Sequence, residues 1–225
     1  MGTRGLSPLA VPHSTETRYK EMTNNRTHRA LASAMTTLTL DLRSVIRLSH
    51  AQFEQIALAN PDLRLELTAD GELVLMPPTG GNTGRRNSDL TTEITLWNRR
   101  TQLGVVFDSS TVFRLPNGAE RSPDVAWVRL DRWQRLTLAD QDAFPPLCPD
   151  FVIELRSKTD RLAPLQAKLR EYQANGCRLG WLINVQDCQV EVYRADQPPE
   201  ILAAPSLLSG EDLLPGLVVE TTEIW

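Results

Sequence analysis

Residues 149–157 read Pro-Asp-Phe-Val-Ile-Glu-Leu-Arg-Ser, an apolar run into which one carboxylate, that of Glu154, is set. A short apolar run of this kind predicts a β-strand that is buried in a sheet. Side chains alternate along a strand, so Glu154 and Arg156 are predicted to share one face. Burying a carboxylate is costly unless a partner compensates its charge. That partner is either a bound cation or Arg156, and the residues alone leave both explanations open.

A second acidic residue stands at the start of another apolar run. Asp124 follows Pro123 and precedes the sequence Val-Ala-Trp-Val, which also predicts a buried strand. Mg²⁺ in proteins is held by one or two carboxylates together with water and phosphate oxygens. Asp124 and Glu154 together are therefore candidate metal ligands. Taken singly, an aspartate at a turn and a glutamate paired with Arg156 would be ordinary structural features.

The rest of the body alternates between helical and strand patterns. Ser49 and Gln52 have the spacing of a helix capping box, and the turn at Asp70-Gly71 separates two alternating apolar runs, which predicts a β-hairpin. Further elements are predicted as a helix around 90–97 that ends at Gly104, strands at 105–113, 124–128, 151–155, 181–183 and 190–193, and a helix at 163–174. This order predicts a mixed α/β domain over residues 35–225. Residues 1–34 have no hydrophobic period and are predicted to be a disordered tail.

Composition excludes several classes of protein. The apolar fraction of 41% is that of a globular chain, and the net charge of −4 argues against bulk affinity for nucleic acid, so any such binding requires a local basic patch. Apolar runs are too short for a membrane span, so we expect no membrane association. Three scattered cysteines predict neither a disulfide framework nor a zinc site and favour a cytoplasmic location. Gly-rich phosphate loops and nucleophile-elbow motifs are absent from the sequence.

Several blocks of sequence resemble one known family. These are RLEL at 64–67, DGELVLMPP at 70–78, RSPDVAWV at 121–128, PDFVIELRS at 149–157, KLREY at 168–172 and GWLI at 180–183. In this order they are similar to the restriction endonuclease-like family that is abundant in cyanobacteria and belongs to the PD-(D/E)XK superfamily. The resemblance extends from Leu48 to the C-terminus. It implies a restriction-endonuclease-like mixed central sheet flanked by helices, with an N-terminal helix and β-hairpin.

The resemblance also implies a metal-dependent nuclease centre that binds Mg²⁺ or Mn²⁺. Glu66 would be the upstream acid, and Asp124 and Glu154 would be the other metal ligands. The chain departs from the family pattern where a lysine is usual, because that position holds Arg156. Arginine keeps its proton near neutral pH and cannot act as a general base, although it can stabilise charge on a phosphate oxygen. Lys168 on the next helix is predicted to supply the missing ammonium group, and only three lysines occur in the chain.

Other residues are predicted to contact the substrate. Tyr172 lies four residues after Lys168 and therefore shares its helix face. Asn87 is a candidate substrate contact on the preceding helix. Arg85 and Arg86 could form the local basic patch that phosphate binding requires.

The function predicted from these features is a divalent-metal-dependent endonuclease that hydrolyses phosphodiester bonds in DNA. Homodimerisation is common in this superfamily, so a homodimer is a further expectation. Two alternatives compete with the enzyme. One is a nucleic-acid-binding module that keeps the fold without turnover, and the other is a protein-interaction module whose carboxylates are structural. A metal titration separates the structural explanation from the others, and a cleavage assay separates the binding module from the nuclease.

Overall fold

The computed structural model describes residues 37–225, and the predicted tail at 1–34 lies outside them. The helices of this part are α1 (His50–Ala59), α2 (Gly81–Thr101), α3 (Leu130–Trp133), α4 (Leu138–Asp142) and α5 (Leu162–Ala174). Its strands are β1 (Leu38–Asp41), β2 (Arg64–Leu67), β3 (Glu72–Met76), β4 (Gly104–Asp108), β5 (Phe113–Arg114), β6 (Glu120–Arg121), β7 (Val125–Arg129), β8 (Phe151–Leu155), β9 (Leu179–Asn184), β10 (Gln189–Arg194), β11 (Glu200–Ala203), β12 (Leu207–Ser209) and β13 (Val218–Glu220). Over this range, no helix has both the length and the apolar character needed to cross a membrane.

The central feature is a mixed sheet of six strands in the order β11-β10-β9-β8-β7-β4. Strand β8, which carries Glu154, runs parallel to β9 and antiparallel to β7, so it has neighbours on both sides. All five of its residues are buried. This is the buried strand that the apolar run predicts, and the mixed α/β fold is confirmed.

Two helices cover opposite faces of this sheet. Helix α2 packs Leu90, Ile94 and Trp97 against the face formed by Phe151 and Ile153. Helix α5 packs on the other face, where Leu169 and Tyr172 meet Val152 and Leu182. Because side chains alternate along β8, Glu154 lies on the same face as Val152 and hence under α5. A Cβ atom at Gly180 in β9 would lie 2.7 Å from Leu169 Cδ1, so the absence of a side chain there lets α5 approach the sheet closely.

The N-terminal part forms a second, five-stranded sheet in the order β1-β3-β2-β6-β5. The predicted hairpin is its β2–β3 pair, and Gly71 in the turn has a φ of +90°, a conformation that glycine adopts without strain. The predicted capping box at Ser49 and Gln52 begins α1. Strand β2 also contacts β6 through the pair Leu67–Glu120. The chain then passes from β6 directly into β7, which brings the second sheet to the end of the first.

Two sequence-based boundaries were wrong. Helix α2 ends at Thr101 and is capped by Gln102 in the left-handed conformation, and Gly104 instead begins β4. A Cβ atom on Gly104 would lie 2.4 Å from the Trp127 ring, so close packing requires the glycine there. The predicted strand at 105–113 is interrupted after Asp108, whose carboxylate accepts hydrogen bonds from Ser110 and stabilises a turn.

Candidate active site

Four charged side chains meet where four elements come together, and we call them the Lys168 cluster. Glu66 comes from β2, Asp124 immediately precedes β7, Glu154 lies in β8, and Lys168 lies in the middle of α5. The last registered pair of β7 and β8 is Val125–Ile153, so Asp124 and Glu154 stand opposite each other one position further along. The fold therefore places all four predicted side chains at one end of the central sheet.

The ammonium group of Lys168 bridges two of the carboxylates. Its Nζ atom lies 2.7 Å from Oε1 of Glu66 and 2.7 Å from Oε1 of Glu154. It also donates to the carbonyl oxygen of Ser122 at 3.2 Å. An ammonium group has three donors, so these partners satisfy all of them. Burial lowers the pKa of Lys168, but the charges of Glu154 and Glu66 outweigh burial and the pKa is raised.

Both oxygens of Glu66 are held by cations or backbone. Oε1 accepts from the Ser122 N–H at 2.9 Å as well as from Lys168, and Oε2 pairs with Nη1 of Arg121 at 3.1 Å. Nε of Arg121 in turn pairs with Glu171 at 2.6 Å. Burial raises the pKa of Glu66, but Lys168 and Arg121 more than offset this, so its pKa is lowered and the carboxylate is charged. These contacts suit Glu66 better to positioning Lys168 than to ligating a metal ion.

Asp124 is partly exposed and bound through both oxygens. Oδ2 accepts from the Leu155 N–H at 2.9 Å, which joins Asp124 to the residue that follows Glu154. Oδ1 accepts from Nδ2 of Asn87 at 2.9 Å. Burial raises the pKa of Asp124, and the Leu155 hydrogen bond and the charge of Lys168 oppose the rise only in part.

Glu154 is buried beside charges of both signs. Its Oε1 atom accepts from Lys168 and from the hydroxyl of Tyr172 at 3.2 Å. Burial raises its pKa to about 8; Lys168 opposes this, while the negative charges of Asp124 and Glu66 add to it. The carboxylates of Glu66, Asp124 and Glu154 are thus accompanied by only two cations, the ammonium group of Lys168 and the guanidinium group of Arg121. The guanidinium group also pairs with Glu171. A further cation beside Asp124 and Glu154 would relieve this excess of negative charge.

The amide oxygen of Asn87 is a candidate neutral metal ligand beside Asp124. Its nitrogen donates to Asp124, while within residues 37–225 no donor reaches its buried Oδ1 atom. No three His, Cys, Asp or Glu side chains form a ready metal-binding group in this range. A divalent ion would therefore be held by Asp124 and Glu154, with the Asn87 amide oxygen as a neutral donor, and by water and phosphate oxygens. The donor set is all oxygen, as Mg²⁺ and Mn²⁺ require.

Arg156 does not join the cluster. Its Nη1 atom binds Oδ1 of Asn184 and Oδ2 of Asp187, both at 3.1 Å, and its Nε atom donates to the Asp160 carbonyl. These contacts tie the end of β8 to the turn after β9. The explanation in which Arg156 neutralises Glu154 is not supported, because Lys168 occupies that role.

Arg85 and Arg86, the predicted basic patch, bind Asp89 and the C-terminal segment and form no hydrogen bond or ion pair with the Lys168 cluster. Arg85 pairs with Asp89 at 2.8 Å and donates to the carbonyl of Glu223, and Arg86 donates to the carbonyl of Ile224. Both guanidinium groups thus hold the C-terminal segment against α2. Their assignment to phosphate binding gains no support from these contacts.

Tyr172 is close to the cluster but is not available as a surface for substrate. Its side chain is fully buried, its hydroxyl donates to Glu154, and its ring lies 5.8 Å from the ammonium of Lys168. The shared helix face of Lys168 and Tyr172 is as predicted. The contacts give Tyr172 a positioning role for Glu154.

Sequence reasoning missed three partners of the cluster. Arg121 and Ser122 precede Asp124 and bind Glu66, and Glu171 holds Arg121 from one helical turn beyond Lys168. Arg121 and Glu171 both lie within the family-like blocks of sequence. Their spacing, however, gives no sign that β2, the β6–β7 connection and α5 converge.

Comparisons with known proteins agree with this fold. The family model described as "Uma2: Putative restriction endonuclease" matches residues 50–222. A solved structure, described as a "putative nuclease belonging to DUF820 from Anabaena variabilis", superposes with a TM-score of 0.61 at 18% sequence identity. The superposition covers 71% of this chain and 88% of that chain. No protein with a curated function matches the sequence. At this identity, the structural likeness supports the fold alone.

Proposed function

The chain belongs to the Uma2 family of restriction endonuclease-like proteins, and we propose that it is a divalent-metal-dependent endonuclease that hydrolyses phosphodiester bonds in DNA. The observation that carries the proposal is the Lys168 ammonium group, which bridges Glu66 and Glu154 at 2.7 Å each beside Asp124. Buried charges with shifted pKa values are expensive for a fold and are concentrated at functional sites. The match of residues 50–222 to a family model of restriction endonucleases supports the same proposal.

Asp124 and Glu154 are the proposed ligands of Mg²⁺ or Mn²⁺, with Asn87 as the neutral donor. When bound, the ion supplies an electrophile that offsets negative charge on the phosphate and favours deprotonation of water. The remaining steps belong to the protein. The Leu155 N–H and the Asn87 amide fix the orientation of Asp124. Tyr172 and Lys168 fix Oε1 of Glu154, while Oε2 of Glu154 accepts no hydrogen bond from residues 37–225.

Lys168 is the proposed electrostatic group of the reaction. Its raised pKa keeps the ammonium protonated at neutral pH, so it can stabilise charge that develops on a phosphate oxygen. It cannot accept a proton in that state. Glu66 and Arg121 act through Lys168, because their contacts hold the ammonium in place.

A cleavage assay tests this proposal. Supercoiled plasmid DNA and single-stranded RNA are incubated with the protein in Mg²⁺, Mn²⁺ or EDTA. We expect nicked or linear DNA with either metal and none with EDTA. Asp124→Asn should abolish cleavage, whereas Asp212→Asn, at an exposed carboxylate outside the cluster, should leave it unchanged.

Each alternative predicts a different combination of cleavage, DNA binding and metal binding. Metal-independent cleavage would contradict the role of Asp124 and Glu154 as metal ligands. Cleavage of RNA alone would keep the chemistry but change the substrate. DNA binding without cleavage in either metal would favour the inactive binding module, and metal binding unaltered by Asp124→Asn would favour structural carboxylates.

A further inference from the structure

Arg64 is a cation next to the Lys168 cluster whose binding capacity is largely unused. It lies in β2 two residues before Glu66, so both side chains point to the same face of that strand. Its Nη2 atom donates to the carbonyl oxygen of Ser109 at 2.8 Å. A guanidinium group has five N–H donors, and the side chain of Arg64 makes no other hydrogen bond within residues 37–225.

The Ser109 carbonyl oxygen, which accepts from Arg64, is also bound by a residue that contacts the Lys168 cluster. The Ser122 hydroxyl donates to the same Ser109 carbonyl at 2.7 Å. The backbone of Ser122 also binds Glu66 and Lys168. The positive charge of Arg64 also opposes part of the rise in the pKa of Asp124.

Most of the partly buried arginines have a carboxylate partner, whereas Arg64 and Arg86 form no ion pair within residues 37–225. In the part of the chain that the structure describes, ion pairs are formed by Arg114, Arg121, Arg132, Arg156 and Arg194. Arg86 is held by the C-terminal backbone. Arg64 forms no ion pair over the same residues, although burying part of a charge without a partner is costly.

Before a metal ion binds, the cluster as a whole presents an excess of negative charge to an approaching polyanion. Lys168 and Arg121 are already bound by the surrounding carboxylates, so the approach of a phosphate would be opposed by repulsion. Planar guanidinium donors match phosphate oxygens and can bind them with two hydrogen bonds. Resting on the endonuclease function proposed above, we propose that Arg64 is a substrate-binding residue that contacts a backbone phosphate of the DNA strand entering the site.

DNA binding in Ca²⁺, measured by fluorescence anisotropy with a labelled duplex, tests Arg64 apart from turnover. Arg64→Ala should weaken binding about tenfold, the loss expected for one charged hydrogen-bonded contact. A lost phosphate contact should also reduce the slope of log affinity against log salt by about 0.9. Arg64→Lys should retain the slope while recovering only part of the affinity, because it keeps the charge without the planar donors.

Arg178→Ala is the matched control. Arg178 is exposed, has no ion pair within residues 37–225, and precedes β9 at the end of the sheet opposite the cluster. The Arg178→Ala variant should bind DNA with the affinity and salt slope of the wild type. Melting temperatures of all variants confirm that each is folded.

The outcomes separate this inference from the proposed function. The role of Arg64 would be overturned if the wild type cleaves DNA and Arg64→Ala binds DNA with the same affinity and salt slope as the wild type. The proposed nuclease function would then still hold. DNA binding that depends on Arg64, without cleavage in Mg²⁺ or Mn²⁺, would support Arg64 and reject the nuclease. A wild-type protein that does not bind DNA would overturn both.

Discussion

Nζ of Lys168 lies 2.7 Å from Oε1 of Glu154, because α5 packs across the face of β8 that carries this glutamate. The same ammonium group reaches Glu66 from the second sheet. One side chain thus joins three elements and compensates two buried carboxylates. We therefore expect Lys168 to affect both the stability and the activity of the protein.

Replacing Lys168 should abolish most of the activity. Removing a group that stabilises transition-state charge commonly costs about 100-fold or more in rate, so we expect Lys168→Ala to lower single-turnover DNA cleavage by that factor. Lys168→Arg should restore only part of it. The matched control is Arg156→Ala, which removes contacts to Asn184 and Asp187 and should keep cleavage within about threefold, because a contact outside the reacting atoms contributes little to transition-state binding. If Lys168→Ala and Arg156→Ala lowered the cleavage rate by the same factor, the result would contradict both the catalytic role of Lys168 and the purely structural role of Arg156.

The same substitution should destabilise the fold. Breaking a buried ion pair by removing one partner costs about 3–5 kcal/mol when the other charge stays buried. We expect Lys168→Ala to fall at or below this range, because the raised pKa of Glu154, about 8, lets this carboxyl group hold a proton at neutral pH instead of an unpaired charge. Urea unfolding followed by tryptophan fluorescence measures the change. A free energy of unfolding equal to that of the wild type would mean that the ammonium does not compensate Glu66 and Glu154.

Asp124→Asn should separate the effect of the metal from that of packing. In the metal-free protein this variant should be at least as stable as the wild type, because it removes a charge that opposes ionisation of Glu154. The Asn87 amide can rotate to present its unpaired oxygen to the new amide nitrogen. The wild type should gain about 2.7 kcal/mol at an Mn²⁺ concentration 100 times the dissociation constant. Thermal shift with Asp212→Asn as the control checks this, and equal responses in all three proteins would reject the metal site.

The raised pKa of Glu154 predicts the pH dependence of the metal-free protein. Its folded-state pKa of about 8 lies above the ordinary value of 4.5, so between these values the folded state binds the extra proton. The stability that this proton contributes is present below the unfolded pKa and is lost as the pH rises through about 8. Melting curves in EDTA from pH 5 to 9 should therefore show a decline that is reduced in Glu154→Gln. A decline of the same size in both proteins would assign it to other groups.

Gly104 should be intolerant of a side chain. A Cβ atom there would lie 2.3 Å from the Val128 carbonyl oxygen and 2.4 Å from the Trp127 ring, both parts of the rigid sheet. We expect Gly104→Ala to destabilise the domain by about 1–3 kcal/mol through overpacking. Gly81→Ala is the control, because nothing lies within 4 Å of its added Cβ atom and it starts a helix. Chemical denaturation of the two variants checks the difference.

Much of the fold follows from local pattern. Residues 151–155 form the predicted strand because an apolar run of that length can be buried on both faces of a sheet. The hairpin at Gly71 and the capping box at Ser49 follow from turn and cap chemistry that acts over a few residues. Gly104 was misassigned because its role depends on Trp127, which is a neighbour only in the folded state.

The residue types of the candidate site follow from the sequence: two acids on strands, an acid in a hairpin and a lysine on a helix. Their partners depend on how the elements pack together. Strand alternation places Glu154 and Arg156 on one face, but only the packing of α5 shows that Lys168 reaches Glu154 while Arg156 turns towards Asp187. The contact of Arg121 with Glu66 likewise joins β6 to β2, and the unpaired Arg64 is recognisable only among its neighbours. Spacing along a chain fixes the face of an element, whereas the pairing of charges depends on which elements the whole fold brings together.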